Sequence, residues 1–172
     1  MYSIGEKDRV KQLKDVPKSD VGAPMPTLLA AEHLLVLVYC ISEPDPNWDG
    51  TYVNVVSNES SGAVAIVEFH RPSLHMFGPP NDEAFDGHPL TKRGLRPYSA
   101  VEILDSSWLQ LRIEMNRVHR CHSDAMFADL RHFIFAFHDS TFECLARDLT
   151  ISSMRGSIVD IVASLSAKLR GL

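Results

Sequence analysis

The stretch Arg131 to Arg147, RHFIFAFHDSTFECLAR, sets Phe133, Phe135 and Phe137 at every second position before Asp139-Ser140 and Phe142, Cys144 and Ala146 at every second position after it. Alternation at period two marks a strand with two unlike faces, and an Asp-Ser pair suits a turn. Closed by a two-residue turn, the hairpin places His138 opposite Thr141, Ala136 opposite Glu143, Ile134 opposite Leu145 and His132 opposite Arg147 on one side of a sheet. The other side carries Phe133, Phe135, Phe137, Phe142, Cys144 and Ala146. Each buried ring contributes roughly 1.5–3 kcal/mol, so that side is expected to be core. On the first side Glu143 lies diagonal to His138, about 7–8 Å away between Cβ atoms, where two medium-length side chains meet. A carboxylate so placed fixes the tautomer of an imidazole and raises its pKa, as general acid–base work requires. The same residues equally suit the wet face of an antiparallel sheet, which is polar by default.

Outward from this hairpin, residues 1 to 30 are polar, mix both charge signs and end in Val21-Gly22-Ala23-Pro24-Met25-Pro26, which predicts a flexible or draped N-terminal arm ahead of one domain over 31–172. His33 to Ile41, HLLVLVYCI, is a continuous apolar run rich in branched residues and predicts a central strand buried on both faces. Turn formers crowd Ser42 to Gly50. Thr51 to Ser57 and Ala63 to His70 are expected to pair around Asn58-Glu59-Ser60-Ser61-Gly62, with Val53, Val55, Ala65, Val67 and Phe69 on one face and Tyr52, Asn54, Glu68 and His70 on the other.

Five prolines and three glycines between Arg71 and Pro97 predict a long irregular loop. Ser99 to Arg120 has helical periodicity, interrupted near Asp105-Ser106-Ser107, with Asp105 or Ser106 as cap of the second piece. A short helix over Ser123 to Leu130 precedes the hairpin. Ser157 then caps a last helix whose stripe is Ile158, Ile161, Val162, Leu165 and Leu169. That stripe suits closure over the chain's own sheet or pairing with a second copy as a homodimer. These elements predict a single α+β domain, with a mostly antiparallel sheet of about five strands and helices packed on one side.

With 172 residues, 45% hydrophobic and 23% charged, the chain has enough apolar mass for a core without staples. A formal net charge of −5 without a lysine or arginine cluster argues against nucleic acid as a partner. Three cysteines, Cys40, Cys121 and Cys144, form an odd set with two in expected buried strands, which predicts reduced thiols and a cytoplasmic setting. The N-terminus lacks the apolar core of a signal peptide, and no apolar run is long enough to span a bilayer.

Chemistry-bearing residues gather in two further places. His75 to His88 holds both of those histidines with Asp82, Glu83 and Asp86 among glycines and prolines. Such a loop supplies imidazole and carboxylate groups for acid–base work or a metal, and the same residues serve turns and helix starts. His119-Arg120-Cys121-His122 lacks the paired Cys-x-x-Cys of a structural zinc site and reads as a helix end. The zincin helix, phosphate-cradling and dinucleotide glycine loops, and the Gly-x-Ser-x-Gly elbow are all missing from the sequence.

The pattern therefore points to a small enzyme acting on a small polar molecule by proton transfer, of isomerase, lyase or hydrolase type, with metal assistance open and the cofactor undefined. His138 is its expected acid–base group, oriented by Glu143 with Asp139 beside it and His75 or His88 across a pocket. Asp82, Glu83, Arg131 and Arg96 are its expected substrate contacts. The rival reading is a non-catalytic binding or accessory protein that holds a partner through a sheet face or the last helix.

Overall fold

A computed structural model describes residues 3–43, 49 and 56–167. The strands are β1 (Arg9–Gln12), β2 (Thr27–Ala31), β3 (Leu34–Cys40), β4 (Gly62–His70), β5 (Leu74–Gly78), β6 (Ala100–Leu104), β7 (Arg131–Ala136), β8 (Thr141–Ala146) and β9 (Asp148–Gly156). The helices are α1 (Ser107–Asn116) and α2 (Ile158–Ser166), and short 3-10 turns occupy Phe85–Gly87, Pro89–Arg93 and Asp124–Phe127.

Periodicity explains how the layers stack. In β3, Leu35, Leu37 and Tyr39 point one way and join Ala65, Val67 and Phe69 of β4 against Phe133, Phe135, Phe137, Phe142, Cys144 and Ala146. Val36 and Val38 point the other way, join Val64 and Ile66, and are covered by Ile158, Ile161 and Leu165 of α2. Two antiparallel sheets thus pack face to face, one of five strands in the order β1-β6-β7-β8-β5 and one of four in the order β2-β3-β4-β9. The antiparallel α+β character follows the sequence reading, while the single sheet of about five strands and the one-sided helices are corrected. Helix α2 covers the outer face of the four-stranded sheet. The outer face of the other is covered by Phe85, Leu90 and Leu95 of the 71–97 segment and, around Leu145, by Trp108 of α1.

Several local expectations change with this arrangement. Ala100–Leu104 is a strand rather than a helical turn, bracketed by Tyr98 and Asp105, both with φ of 55°. Its Val101 and Ile103 are buried at period two, and a run this short fits either period. Ser106 is the N-cap of α1, as expected, with its hydroxyl accepting from the Leu109 N–H at 3.2 Å. The 71–97 segment includes β5, which pairs with β8 at the sheet edge. Strand β4 pairs with β3 and β9, and the partner expected for it over 51–55 lies outside the described residues.

The N-terminal arm carries β1 and β2 and is therefore not without structure. Between them it crosses from sheet to sheet: the Leu13 N–H donates to the Ala100 carbonyl at 3.0 Å, and Asp20 N–H donates to Cys40 at 2.8 Å. Leu13 and Val16 pack against the inter-sheet core on the way. Among the described residues no helix is long and apolar enough to cross a membrane.

Candidate functional site

The hairpin keeps the two faces read from its sequence but not their register. Ala136 pairs with Thr141, Ile134 with Glu143 and His132 with Leu145, and the Phe137 N–H donates to the Ser140 carbonyl at 2.8 Å, so the turn centres on His138-Asp139 rather than on Asp139-Ser140. A shift of two positions preserves every face while replacing one diagonal neighbour by another. Glu143 therefore meets His132 and not His138. Its face is also dry rather than wet, because the 3-10 turns and α1 lie over it.

In that covered layer Glu143 Oε2 stands 3.0 Å from His132 Nε2, and its Oε1 stands 3.1 Å from His88 Nε2. All three residues are buried, Glu143 being 3% exposed. The outer ring nitrogens fix the direction of these bonds. His88 Nδ1 accepts the Leu90 N–H at 3.2 Å, and His132 Nδ1 lies 2.9 Å from Ser106 Oγ, whose lone pairs already receive Leu109 N–H. His88 therefore carries its proton on Nε2 and donates it to Glu143, and at His132 an ionised Glu143 can only accept, so Nε2 donates there and Nδ1 is left to accept the Ser106 hydroxyl. Burial holds the His132 pKa below its usual value, against the opposing pull of Glu143. A buried carboxylate is costly unless hydrogen-bonded, and two imidazole donors supply that here.

Asp8 extends the polar layer at the start of α1. Its Oδ1 accepts Ser107 N–H at 2.7 Å, and its Oδ2 accepts Gly5 N–H at 2.5 Å and the Ser107 hydroxyl at 2.6 Å. These bonds tie the N-terminal segment to exposed helix N–H groups, a structural duty.

His138 lies elsewhere, at the hairpin tip, with its side chain 40% exposed. Its orienting carboxylate is Asp82 and not Glu143. Asp82 Oδ2 is 2.9 Å from His138 Nδ1, and the Asp82 N–H donates to the His138 carbonyl at 2.8 Å. Tyr98 completes the cluster: its hydroxyl donates to Asp82 Oδ2, and its oxygen lies 2.9 Å from His138 Nδ1, with the two rings stacked at 6.3 Å. Hydrogen bonding to Asp82 raises the His138 pKa, assisted by the nearby charges of Asp82, Asp139 and Glu83. The bonds from Tyr98 and then His138 lower that of Asp82. The Tyr98 phenol, bonded to Asp82, is pushed up to about 12. His138 Nδ1 is consequently held as the protonated nitrogen and Nε2 is left outward, with exposed Asp139 at 3.9 Å.

Beside this cluster is a cleft of about 180 Å³ between the two sheets, lined by Tyr98, Ser99 and Ala100, by Tyr39 and residues 135–137, and by Gln12, Leu13, Val16, Pro17, Lys18 and Ser19 of the arm. The remaining expected residues scatter. His75 is on β5 at a second cleft of about 390 Å³ with Glu32, away from His138. His88 belongs to the buried network, so it does not face His138 across a pocket. Glu83 is exposed. Arg131 holds Glu102 through two bonds of 2.9 Å and Asp148 at 2.7 Å, which makes it a strand-to-strand clamp rather than an anion contact. Arg96 Nη1 reaches carbonyls of its own loop, Thr91 and Leu95, at 3.4 and 3.3 Å. Cys144 is buried on the aromatic face as expected, and burial pushes its thiol well up. Among the described residues no three His, Cys, Asp or Glu side chains converge as metal ligands would.

Tyr98 has no signal of its own in the sequence, and Ser106 signals only a helix cap. His132 does have one, since it shares a face with Glu143, and a turn centred on His138-Asp139 makes them diagonal neighbours. No family model matches the chain, and neither a curated protein nor a solved structure is significantly similar to it.

Proposed function

We propose that the chain is a small cytoplasmic enzyme in which His138 acts as the acid–base group, oriented by Asp82 and Tyr98, on a small molecule held in the adjacent cleft. The observation that carries this reading is the fixed Nδ1 of His138. A carboxylate on one ring nitrogen sets the tautomer, stabilises the imidazolium and leaves the other nitrogen to exchange protons with a substrate. Hydrogen bonding to Asp82 raises the His138 pKa above its ordinary value, which favours the imidazolium form. Tyr98 links the two parts, because its ring lines the cleft and its hydroxyl sits on Asp82. Proton transfer of isomerase, lyase or hydrolase type suits such a group.

The test is turnover of a panel of small polar molecules by the wild type, by His138→Gln and by Asp82→Asn. Loss of any observed turnover in His138→Gln, with a cooperative thermal transition retained, is expected. Turnover unchanged in His138→Gln would remove the reading.

A second reading, a non-catalytic module holding a protein partner, draws support from α1 and its C-terminal extension. Leu111, Met115 and Val118 are exposed at helical spacing, Val118 by 93%. The C-terminal helix offers less, because Ile158, Ile161 and Leu165 are already covered. Oligomeric state measured for Leu111→Glu and Met115→Glu against the wild type separates the readings: disruption of an assembly would favour the module.

A further inference from the structure

We propose that His88 is an acid-sensitive latch, whose protonation releases the segment from Phe85 to Leu95 from the outer face of the five-stranded sheet. Both of its ring nitrogens are committed. His88 is 1% exposed, Nε2 donates to Glu143 at 3.1 Å, and Nδ1 accepts the Leu90 N–H at 3.2 Å. A second proton can enter only at Nδ1, where it would face that N–H. The Leu90 amide cannot turn away, because it is fixed two residues along in the 3-10 turn that His88 caps. The acceptor becomes a donor, and the cap of the turn is lost. His132 differs in this respect: its Nδ1 meets the Ser106 hydroxyl, which can rotate to present a lone pair.

The latch holds down an apolar cover. Phe85, Leu90 and Leu95 are buried on Val101, Ile103, Ile134 and Ala136, and the His88–Glu143 bond ties them to β8. Other bonds of the segment are local, such as the Thr91 hydroxyl to the His88 carbonyl at 2.9 Å and the Leu95 N–H to the Leu90 carbonyl at 3.2 Å. They can move with it.

The charged and titratable groups of the layer come from three elements. Glu143 of β8 and Asp8 of the N-terminal segment draw a proton inward, and His132 of β7, once charged, repels it. Helix α1 contributes Ser106 and Trp108, which carry no charge, and Lys92 and Arg93 of the turn itself are exposed. The segment also leads back to Asp82, whose carbonyl accepts the Phe85 N–H at 3.3 Å. Release would loosen the carboxylate that orients His138; this consequence rests on the acid–base reading, and the latch does not.

The experiment is amide hydrogen exchange of the full chain from pH 8 to 5, corrected for the intrinsic exchange rate, at Leu90 and Leu95 of the cover and at Val38 of β3. A released imidazole takes up its proton near the ordinary value of about 6.5. An opening linked to one proton therefore grows about tenfold per pH unit below that value. Leu90 and Leu95 are expected to follow this slope between pH 6 and 5, with the opening of Val38 unchanged. His88→Asn, whose side-chain oxygen can keep the Leu90 bond and does not titrate, is expected to lose the slope, and His132→Gln to retain it. A flat profile at Leu90, an equal rise at Val38, or a slope that survives His88→Asn would overturn the latch. If His88→Asn does not fold, the wild-type comparison of Leu90 with Val38 decides alone. Turnover retained in His138→Gln would instead overturn the acid–base reading, so the two failures are separately visible.

Discussion

At the residue scale, one carboxylate anchors each of the two histidine clusters, and their environments give them opposite roles. Glu143 is buried and bonded to His88 and His132. Its value is structural, and substitution reports on it: in Glu143→Gln one imidazole N–H would face an amide N–H₂, an unmade bond costing about 1–3 kcal/mol. Glu143→Ala leaves a cavity and two orphaned donors and is expected to cost about 3–5 kcal/mol, read from urea unfolding midpoints. Asp82 is mostly buried, its side chain 20% exposed, and holds a histidine that water can reach. The pH dependences diverge accordingly. The raised His138 pKa contributes stability that is present below 6.5 and lost as pH rises through its folded value. The lowered Asp82 pKa contributes stability present above 3.8 and lost as pH falls through its folded value, so this clamp is strongest between those limits. The lowered His132 pKa works oppositely to His138: its contribution is present above 6.5 and fades as pH falls toward the folded value. His138→Gln is therefore expected to remove the loss of stability on the alkaline side of 6.5 and leave the acid-side loss in place, measured as thermal midpoints across pH.

At the element scale, the hairpin β7–β8 explains what the sequence could and could not convey. Three phenylalanines at period two define a core face whatever the turn length, so face assignment is robust to slippage. The position of the turn is not encoded in that period, and a slip of two residues exchanges His138 for His132 beside Glu143 without disturbing a single face. Strand β9 escaped the sequence reading for the reverse reason. Its Ser152, Ser153 and Arg155 are exposed, and pairing with β4 together with the packing of Leu149 and Ile151 on the inter-sheet core holds it as a strand. Helix α1 starts where Ser106 predicts, and this one hydroxyl both caps the helix and orients His132. Ser106→Ala is expected to cost about 1–2 kcal/mol, the upper part of the usual cap range, because the loss also strips His132 Nδ1 of its donor. Ser106→Thr, which keeps the hydroxyl, is expected to recover most of that in the same denaturation measurement.

At the scale of the whole molecule, the apolar run of β3 foretold a strand buried on both faces, and the layering that results is α2, sheet, sheet, then the 71–97 segment with α1. How the strands divide between two sheets was not legible, because β6 pairs with β1 and β7, and β5 with β8, across long sequence separations that no local pattern records. The same layering gives α2 an internal duty. Ile161→Asp puts an unpaired charge against Val36, Val38, Val64 and Ile66 and is expected to destabilise the fold by at least about 3 kcal/mol, with an unfolding midpoint independent of protein concentration. A concentration-dependent midpoint in the wild type that vanishes in this variant would place the stripe at a dimer interface instead. The sandwich also explains why a cleft lies between its sheets. The sheets part where the arm crosses from β6 to β3, and the tip bearing His138 comes to the edge of that gap. The account therefore turns on His138 being held as a protonatable base by Asp82, and a nuclear magnetic resonance titration of its ring protons in the wild type and in Asp82→Asn tests this most directly. The account predicts a wild-type pKa above 6.5 that falls in Asp82→Asn; a value at or below 6.5 that Asp82→Asn leaves unmoved would contradict it.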